Sequence, residues 1–386
     1  MRSEKLALYA TASRGTEPFL AGELKTLGAY HVKQGRGGVS FVATLEEALR
    51  VCLWSRIAMR ILYPLGESTV EGAQGLYDAV EKIPWEDHLT PKTTFAVDAA
   101  LRDSEHRHSG FVALKTKDAI VDRMRRVRGA RPNVDTREPD VRVVVHLSGK
   151  KLSLSLDLCG ESLHRRGYRV APVVASLKET LAATILLAAG FTGEEPLIDP
   201  MCGAGTFLLE GALIACRRAP ALHRRLAVER WPGMGRDAQR VLAALKEEAK
   251  AQERHAPHPI WGLDKKEESI IAARKNVAMA RVPADIHLVE GDALSPLPPG
   301  APTDGLLVTN PPYGERLSSG QKGMKSFYFK LGDTLGQTGF RKFILAGNDS
   351  FESAFHHRPK QRIALWNGPL ECELLEYSPA HGPRSK

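Results

Sequence analysis

Five cysteines among 386 residues, none in a Cys-x-x-Cys pair, leave Cys52, Cys159, Cys202, Cys216 and Cys372 without the spacing of a disulfide scaffold or a zinc ribbon. Free thiols of this kind suit a reducing cytoplasm. Metal is not expected from His106 and His108 either, since two imidazoles without a third spaced ligand read as part of a polar loop. A membrane span is not expected: the longest apolar stretch, Leu181 to Phe191, is too short to cross a bilayer and reads as a buried helix. No signal peptide is expected at the start, where Leu6 to Ala10 reads as a short strand. Two nucleotide motifs are missing as well. No Gly-Lys-Ser/Thr follows the Gly-x-Gly turn at 203–205, which excludes a P-loop, and the third glycine of the dinucleotide fingerprint is absent.

What the chain has in excess is positive charge. A formal net charge of +9 favours a polyanionic partner, and the length allows two or three domains. The imbalance is local, because residues 102–170 hold 16 Lys/Arg against 9 Asp/Glu. Within them Arg123, Arg125, Arg126, Arg128 and Arg131 crowd one helix end and the following loop, either to meet phosphates or as a solvated helix face.

In EEPLIDPMCGAGTFLLEGALIA an apolar strand stops at Asp199 and a Gly-x-Gly turn leads into a helix starting near Thr206. Gly203 and Gly205 permit backbone conformations that other residues resist, and the helix start presents unpaired N–H groups to a carboxylate. Alone this reads equally as a tight turn. Two acidic strand ends follow, Ile260 to Asp264 and His287 to Asp292. An acid after the second strand of such a series can accept ribose hydroxyls, and one after the third can accept an adenine amino group. Singly, each acid also reads as a helix cap or turn residue. A fourth strand, Leu306 to Val308, delivers Asn310-Pro311-Pro312-Tyr313 to the same rim. The Asn310 side-chain carbonyl and the Pro311 backbone carbonyl can accept the two hydrogens of an exocyclic amine, while the Tyr313 ring stacks on the base carrying it. On its own the tetrapeptide is also a Pro-rich turn. Six such residues at the strand ends of one αβ series point together to a cofactor site.

Residues 196–377, with DPMCGAGTF and NPPY, resemble class I S-adenosylmethionine-dependent methyltransferases of the amino-methylating group. The segments LCGESLHRRGYRV and SLKETLAATILLAAGF are similar to the junction and the helix before the glycine motif in THUMP-containing RNA guanine-N2 methyltransferases, especially the RlmL-like enzymes of large-subunit rRNA. KTKDAIVDRMRR with VRVVVHLSGKKLSLSLDLCG resembles the THUMP module itself. The resemblance covers nearly the whole chain, most strongly from about 110 to 320. It departs at Ala204, where relatives often carry Ser. Some relatives carry a second catalytic domain, which is not expected here.

The resemblance implies S-adenosyl-L-methionine as cofactor, held by Lys178, Asp199, Pro200, Met201, Cys202, Gly203, Gly205, Thr206, Asp264, Asp292, Ala293 and Asn310. Asn310, Pro311, Pro312 and Tyr313 are the implied catalytic residues. The implied partner is RNA, 23S rRNA first and tRNA as the alternative, with no membrane and no metal. The implied setting is the cytoplasm.

The expected fold is α/β: a Rossmann-like methyltransferase sheet with an antiparallel C-terminal hairpin, preceded by ferredoxin-like and THUMP α/β modules. Residues 1–65 read as strand, helix, strand, helix and form the ferredoxin-like module; 66–160 form the THUMP module. Strands are expected at Thr94 to Ala100, Arg142 to Leu147 and Lys151 to Asp157, the last with alternating leucines. Residues 161–172 are a basic linker whose Arg165, Arg166 and Arg169 either touch RNA or fix the angle between domains. The methyltransferase domain takes 173–386, with a helical insertion at 219–258 that either guides substrate or covers the sheet. Asn367-Gly368 marks the closing hairpin.

Overall fold

The computed structural model describes residues 4–171, 177–313, 320–348 and 350–380. They form two compact units. The first contains residues 1–12, 20–163 and 221–248; the second contains 13–19, 164–220 and 249–386.

In the first unit, β1 (Lys5–Thr11), α1 (Glu17–Thr26, its first residues counted with the second unit), β2 (Tyr30–Gly35), β3 (Gly38–Thr44), α2 (Leu45–Trp54) and β4 (Arg60–Thr69) make a βαββαβ module. Sequence periodicity found only two of its four strands. β2 is exposed along nearly its whole length and so carries no alternating apolar signal. The β2–β3 hairpin nevertheless has its turn chemistry written in Gly35 to Gly38, with Gly37 at φ 80°. A Cβ at Gly38 would come within 2.4 Å of Ala10 O, so the close approach of β3 to β1 requires glycine there.

The chain continues through α3 (Gly72–Glu81), β5 (Thr94–Arg102), α4 (Ser109–Arg128), β6 (Asn133–Val134), β7 (Val141–Ser148) and β8 (Lys151–Asp157). Rather than two separate sheets, one sheet of eight strands runs in the order β2-β3-β1-β4-β8-β7-β5-β6. β4 is the shared strand. Its first residues pair with β1 and the rest with β8, Leu62 opposite Asp157 through Thr69 opposite Lys151. Leu152, Leu154 and Leu156 are buried as their alternation implies. α4 ends where Gly129 takes a left-handed conformation, φ 69°.

Residues 221–248 also belong to this unit, although the sequence order puts them inside the methyltransferase half. Val228 N–H donates to Leu158 O, just past β8, and Ala221 N–H donates to Leu53 O at the end of α2. The helix α7 (Gly235–Gln252) sends Glu248 to Arg50 at 2.9 Å. The insertion therefore packs on the N-terminal modules, and its length alone gave no sign of that long-range choice.

The second unit holds α5 (Glu179–Ala188), β9 (Leu197–Asp199), α6 (Thr206–Ala215), β10 (Ile260–Asp264), α8 (Glu267–Ala280), β11 (Ile286–Glu290), β12 (Asp304–Thr309), α9 (Gly320–Gly336), β13 (Gly339–Ala346), α10 (Ser350–Phe355), β14 (Gln361–Asn367) and β15 (Leu370–Tyr377). Its sheet runs β11-β10-β9-β12-β13-β15-β14. The first five strands are parallel and β15 is antiparallel to both neighbours. This is the expected Rossmann-like sheet with its antiparallel C-terminal hairpin. Strand alternation splits the core in two: Leu306, Val308, Phe343 and Leu345 pack with α5 and α6, while Leu307 and Ile344 pack with α9 and α10.

The hairpin forms with Asn367 opposite Leu370, so its two-residue turn is Gly368-Pro369. Gly368 at φ 65° followed by the fixed negative φ of proline is the II′ pattern, leaving Asn367 on the strand instead of in the turn. The segment 13–19 joins this unit at its edge strand β14. Arg14 lies over the Trp366 ring, 3.9 Å from its centroid, and Gly15 approaches Ala364 O so closely that a Cβ would sit 2.6 Å away.

Candidate cofactor and amine site

Chain order reverses between β9 and β12, which makes their carboxyl ends the switch point where ligands of open α/β sheets collect. Asp199 closes β9, Asp264 closes β10, Asp292 lies two residues past β11 and Asn310 one past β12. Register puts them on one rim, since Gly262 is opposite Asp199, Asp264 opposite Glu290, and Leu307 opposite Ile198. Neighbouring strands stand about 4.8 Å apart, so Asp264 and Asn310, two strand spacings apart, bracket a site on the order of 10 Å wide.

The glycine loop is held by its neighbours. Gly203 N–H donates to Asp264 Oδ2 at 2.9 Å, Cys202 N–H to Leu263 O at 2.7 Å, and Met201 N–H to Asp199 Oδ1 at 3.0 Å. Gly203 and Gly205 have φ of 53° and 81°, the left-handed region that favours glycine. Gly205 caps α6 with no side-chain bond, so the first-turn N–H groups of that helix keep no capping acceptor among the described residues. Behind the loop, Gly262 lets Leu208 and Cys202 close in, its Cβ position being 2.3 Å and 3.1 Å from their nearest atoms. Cys202 is thus a packed wall residue, and burial pushes its thiol well above its ordinary pKa. Pro200 and Ala293 are buried beside the rim, and Thr206 opens α6.

The acids make the turn bonds that one of their two readings expects. Asp264 Oδ1 accepts Lys266 N–H at 3.0 Å and Asp292 Oδ1 accepts Leu294 N–H at 3.0 Å, both turn bonds, and Lys265 Nζ lies 3.3 Å from Asp292 Oδ2. Each oxygen retains lone-pair capacity for a ligand hydroxyl or amine. Asp199 is 2 % exposed, and burial lifts its carboxyl to about 7. The Met201 N–H works against that rise, and the nearby Asp264 charge adds to it.

At the other side of the switch point, Asn310 Oδ1 is buried with no hydrogen-bond partner among the described residues. Such an acceptor costs about 1 to 3 kcal/mol unless a donor arrives. Tyr313 is buried; its hydroxyl accepts from Asn367 Nδ2 at 2.6 Å, and its ring lies on Gly347. Tyr328 on α9 donates to Pro312 O at 2.8 Å.

Other expected site residues scatter. Lys178 is the exposed N-cap of α5, and its charge, after burial, helps push His164 down to about 4. Arg166 instead faces Glu210 at 3.4 Å, both side chains almost fully buried. Arg169 donates to Glu179 at 2.8 Å, to Leu177 O at 2.8 Å and to Thr206 Oγ1 at 3.1 Å, tying the start of α5 to that of α6. Arg165 stays exposed. In the first unit, Arg123 is engaged with Glu86 and with Glu81 O, and Arg126 with Glu81. Arg128 reaches Glu86 O at 3.3 Å, and Arg125 lies 3.7 Å from Asp122, more than half exposed. Arg131 is exposed.

Sequence reasoning missed Asn276 on α8. Its Oδ1 accepts the N–H groups of Val170 and Ala171, and its Nδ2 donates to Ala171 O and to Ala204 O inside the glycine loop. A fully buried amide with all four bonds made is visible only once linker, loop and helix meet. Among the described residues, no group of three or more His, Cys, Asp or Glu could hold a metal, and no helix is long and apolar enough to cross a membrane.

A parallel sheet reversing at β9/β12, with a glycine loop and acids along one rim, defines a Rossmann-like protein of the methyltransferase class. Residues 166–376 match the RMKL-like methyltransferase domain, and the chain belongs to that family. Residues 72–157 match the THUMP domain and 7–62 the RlmL ferredoxin-like domain. Ribosomal RNA large subunit methyltransferase K/L of Syntrophotalea carbinolica is 43% identical over 96% of this chain and 53% of its own length. The Synechocystis protein slr0064, which carries an RNA methyltransferase name, is 38% identical over 96% of both chains. The chain thus spans about half the length of the K/L relatives it matches. Among solved structures, SMU.472 in complex with SAH superposes with a TM-score of 0.88 at 28% identity, over 99% of this chain and 100% of that one.

Proposed function

We propose that this chain transfers a methyl group from S-adenosylmethionine to the exocyclic N2 of a guanosine in RNA, with 23S rRNA as substrate and tRNA as the alternative. The observation that carries the reading is Asn310 Oδ1, a buried acceptor without a donor among the described residues, on the rim it shares with the glycine loop. An exocyclic amine supplies the missing donor. The names of the K/L relatives and the THUMP match support RNA as the macromolecule.

When bound, S-adenosylmethionine supplies an activated methyl group on a sulfonium. Gly203, Gly205, Thr206 and the open first turn of α6 would face its carboxylate, Asp264 its ribose and Asp292 its adenine amine, with Asp199, Pro200, Met201, Cys202 and Ala293 shaping the loop and Lys178 near its mouth. Asn310 and Pro311 would accept the two N2 hydrogens, orienting the lone pair and stabilising the positive charge that grows on nitrogen as the bond forms. Holding the amine at near-attack distance is worth several kcal/mol, on the order of intramolecular proximity effects. No strong base is required, because the nitrogen turns acidic as the N–C bond forms and the S–C bond breaks, and its proton then passes to water while the thioether leaves. Pro312 fixes the turn and Tyr313 anchors it.

We read residues 1–65 and 66–160 as the modules that bind RNA, 161–172 as linker, and 173–386 as the catalytic domain carrying the 219–258 insertion; the family matches at 7–62, 72–157 and 166–376 support these boundaries. Arg125, Arg128 and Arg131 remain the phosphate contacts we favour; Arg165 joins them. The five free cysteines, all buried, support a reducing cytoplasmic setting.

The test is methylation of unmodified 23S rRNA and tRNA by the purified chain, followed by mass spectrometry of digested nucleosides. N2-methylguanosine in one RNA, lost with Asn310→Ala, is the expected result. Methyladenosine, or no product on either RNA, would end this reading in favour of a DNA-type amine methylase or a non-catalytic ribosome-assembly factor.

A further inference from the structure

The sequence marks Asn367 as a hairpin-turn residue, yet the turn belongs to Gly368-Pro369 and the asparagine side chain is released for other use. It donates to Tyr313 Oη at 2.6 Å. Gly347, the first residue after β13, meets the ring itself: an added Cβ would lie 2.6 Å from Tyr313 Cγ and 2.8 Å from both Cδ atoms. A third hold comes from α9, where Tyr328 donates to Pro312 O at 2.8 Å and is itself donated to by Asn348 at 3.2 Å. Three elements thus grip two consecutive residues just after Asn310.

We propose that Asn367, Gly347 and Tyr328 are positioning residues that clamp Pro312-Tyr313 and thereby keep the Asn310 carbonyl aimed at the incoming amine. The reason a clamp is needed lies in Asn310 itself. Its buried Oδ1 has no donor among the described residues, so a mobile turn would rotate it towards water or a neighbouring N–H and satisfy it there. Fixing Pro312 and Tyr313 removes that escape and leaves the acceptor free until substrate brings a donor, which is preorganisation. Tyr313 in this arrangement is first a strut, its ring closed on one side by Gly347.

The inference rests on the amine-site reading above, and a double-mutant cycle separates the two. Asn367→Ala and Tyr313→Phe, assayed on the full chain with the RNA substrate, are each expected to lower kcat about tenfold while SAH affinity stays within about twofold. Because both remove the same hydrogen bond, the double variant should be no slower than the slower single variant. Gly347→Ala, pressing a methyl group on the ring carbons, should lower kcat at least as much. If Asn310→Ala is inactive but Asn367→Ala turns over normally, the clamp falls and the amine site stands; if the unaltered chain methylates no RNA, the site reading falls first. Multiplicative losses in the double variant, or SAH affinity falling in step with kcat, would mark Asn367 as a general structural residue and overturn the clamp.

Discussion

Asn276 Nδ2, in the middle of α8, donates to Ala204 O at 3.1 Å and so fastens the glycine loop from behind. The same side chain holds Val170 and Ala171, so the linker and the loop share one buried amide. Asn276→Leu should therefore do more than loosen packing. It leaves two N–H groups and two carbonyls without their partner, at about 1 to 3 kcal/mol for each that finds no water. A lower midpoint of thermal unfolding is expected, with SAH affinity reduced about tenfold by calorimetry. Asn276→Asp keeps the two accepted bonds and loses the two donated ones. Unchanged SAH affinity in both variants would show that the loop holds its shape alone.

Asp264 joins two jobs, since its Oδ2 holds Gly203 N–H and its Oδ1 Lys266 N–H while each oxygen keeps a lone pair for a ligand. Asp264→Ala removes a charge-assisted bond to the loop together with the acceptor proposed for a ribose. SAH affinity should fall by about 2 to 4 kcal/mol, the sum of two such hydrogen bonds. Asp264→Asn, able to keep one acceptor, should lie between. Calorimetry giving wild-type affinity for the alanine variant would remove Asp264 from the site.

The rim was legible in the sequence because each strand end carries its own punctuation: Asp199 before Pro, Gly203-x-Gly205, Asp264, Asp292 and Asn310 before Pro. The helix start at Thr206 and the strand at Lys151–Asp157 followed from turn residues and alternation, and the structure has both at those residues. What stayed hidden depends on contacts distant in the chain. β2 is too exposed to show a period, the fusion of both N-terminal modules through β4 is a pairing between residues about 90 positions apart, and the packing of 221–248 is decided by Leu53 and Leu158. Arginines were the least legible of all. The same residue type serves Glu210 at position 166, Glu179 at 169 and solvent at 131, and only burial tells these apart.

Asp199 makes the protein sensitive to pH near neutrality. Its folded carboxyl titrates at about 7 against an ordinary value of 3.8, so between those values the folded state holds a proton that the unfolded state has released. Stability from this group is full below about pH 4 and is lost as pH rises through 7. Asp199→Asn should flatten that slope in denaturation midpoints measured at pH 5 and pH 8. A cationic ligand acts in the opposite sense, because a nearby ammonium favours the ionised carboxyl. SAH binding should then tighten from pH 6 to pH 8 and release a proton, seen as a buffer-dependent enthalpy in calorimetry. An affinity unchanged over that range, in both forms, would place Asp199 out of reach of the ligand charge.

Buried and exposed arginines give the last prediction, a contrast within one chain. Arg166 and Glu210 are sealed together, with Tyr168 also donating to Glu210 at 2.9 Å. Arg166→Ala strands a buried carboxylate and should cost about 3 to 5 kcal/mol of stability. Its effect on RNA affinity, measured at a temperature where the variant is folded, should be small. Arg125→Glu with Arg131→Glu changes exposed side chains, so thermal unfolding should move little. If those two meet phosphates, RNA affinity falls and the slope of log K against log salt becomes shallower by roughly 1 to 2. Filter binding at four salt concentrations decides the matter: a slope identical to that of the unaltered chain returns Arg125 and Arg131 to the solvated face of α4 and its loop.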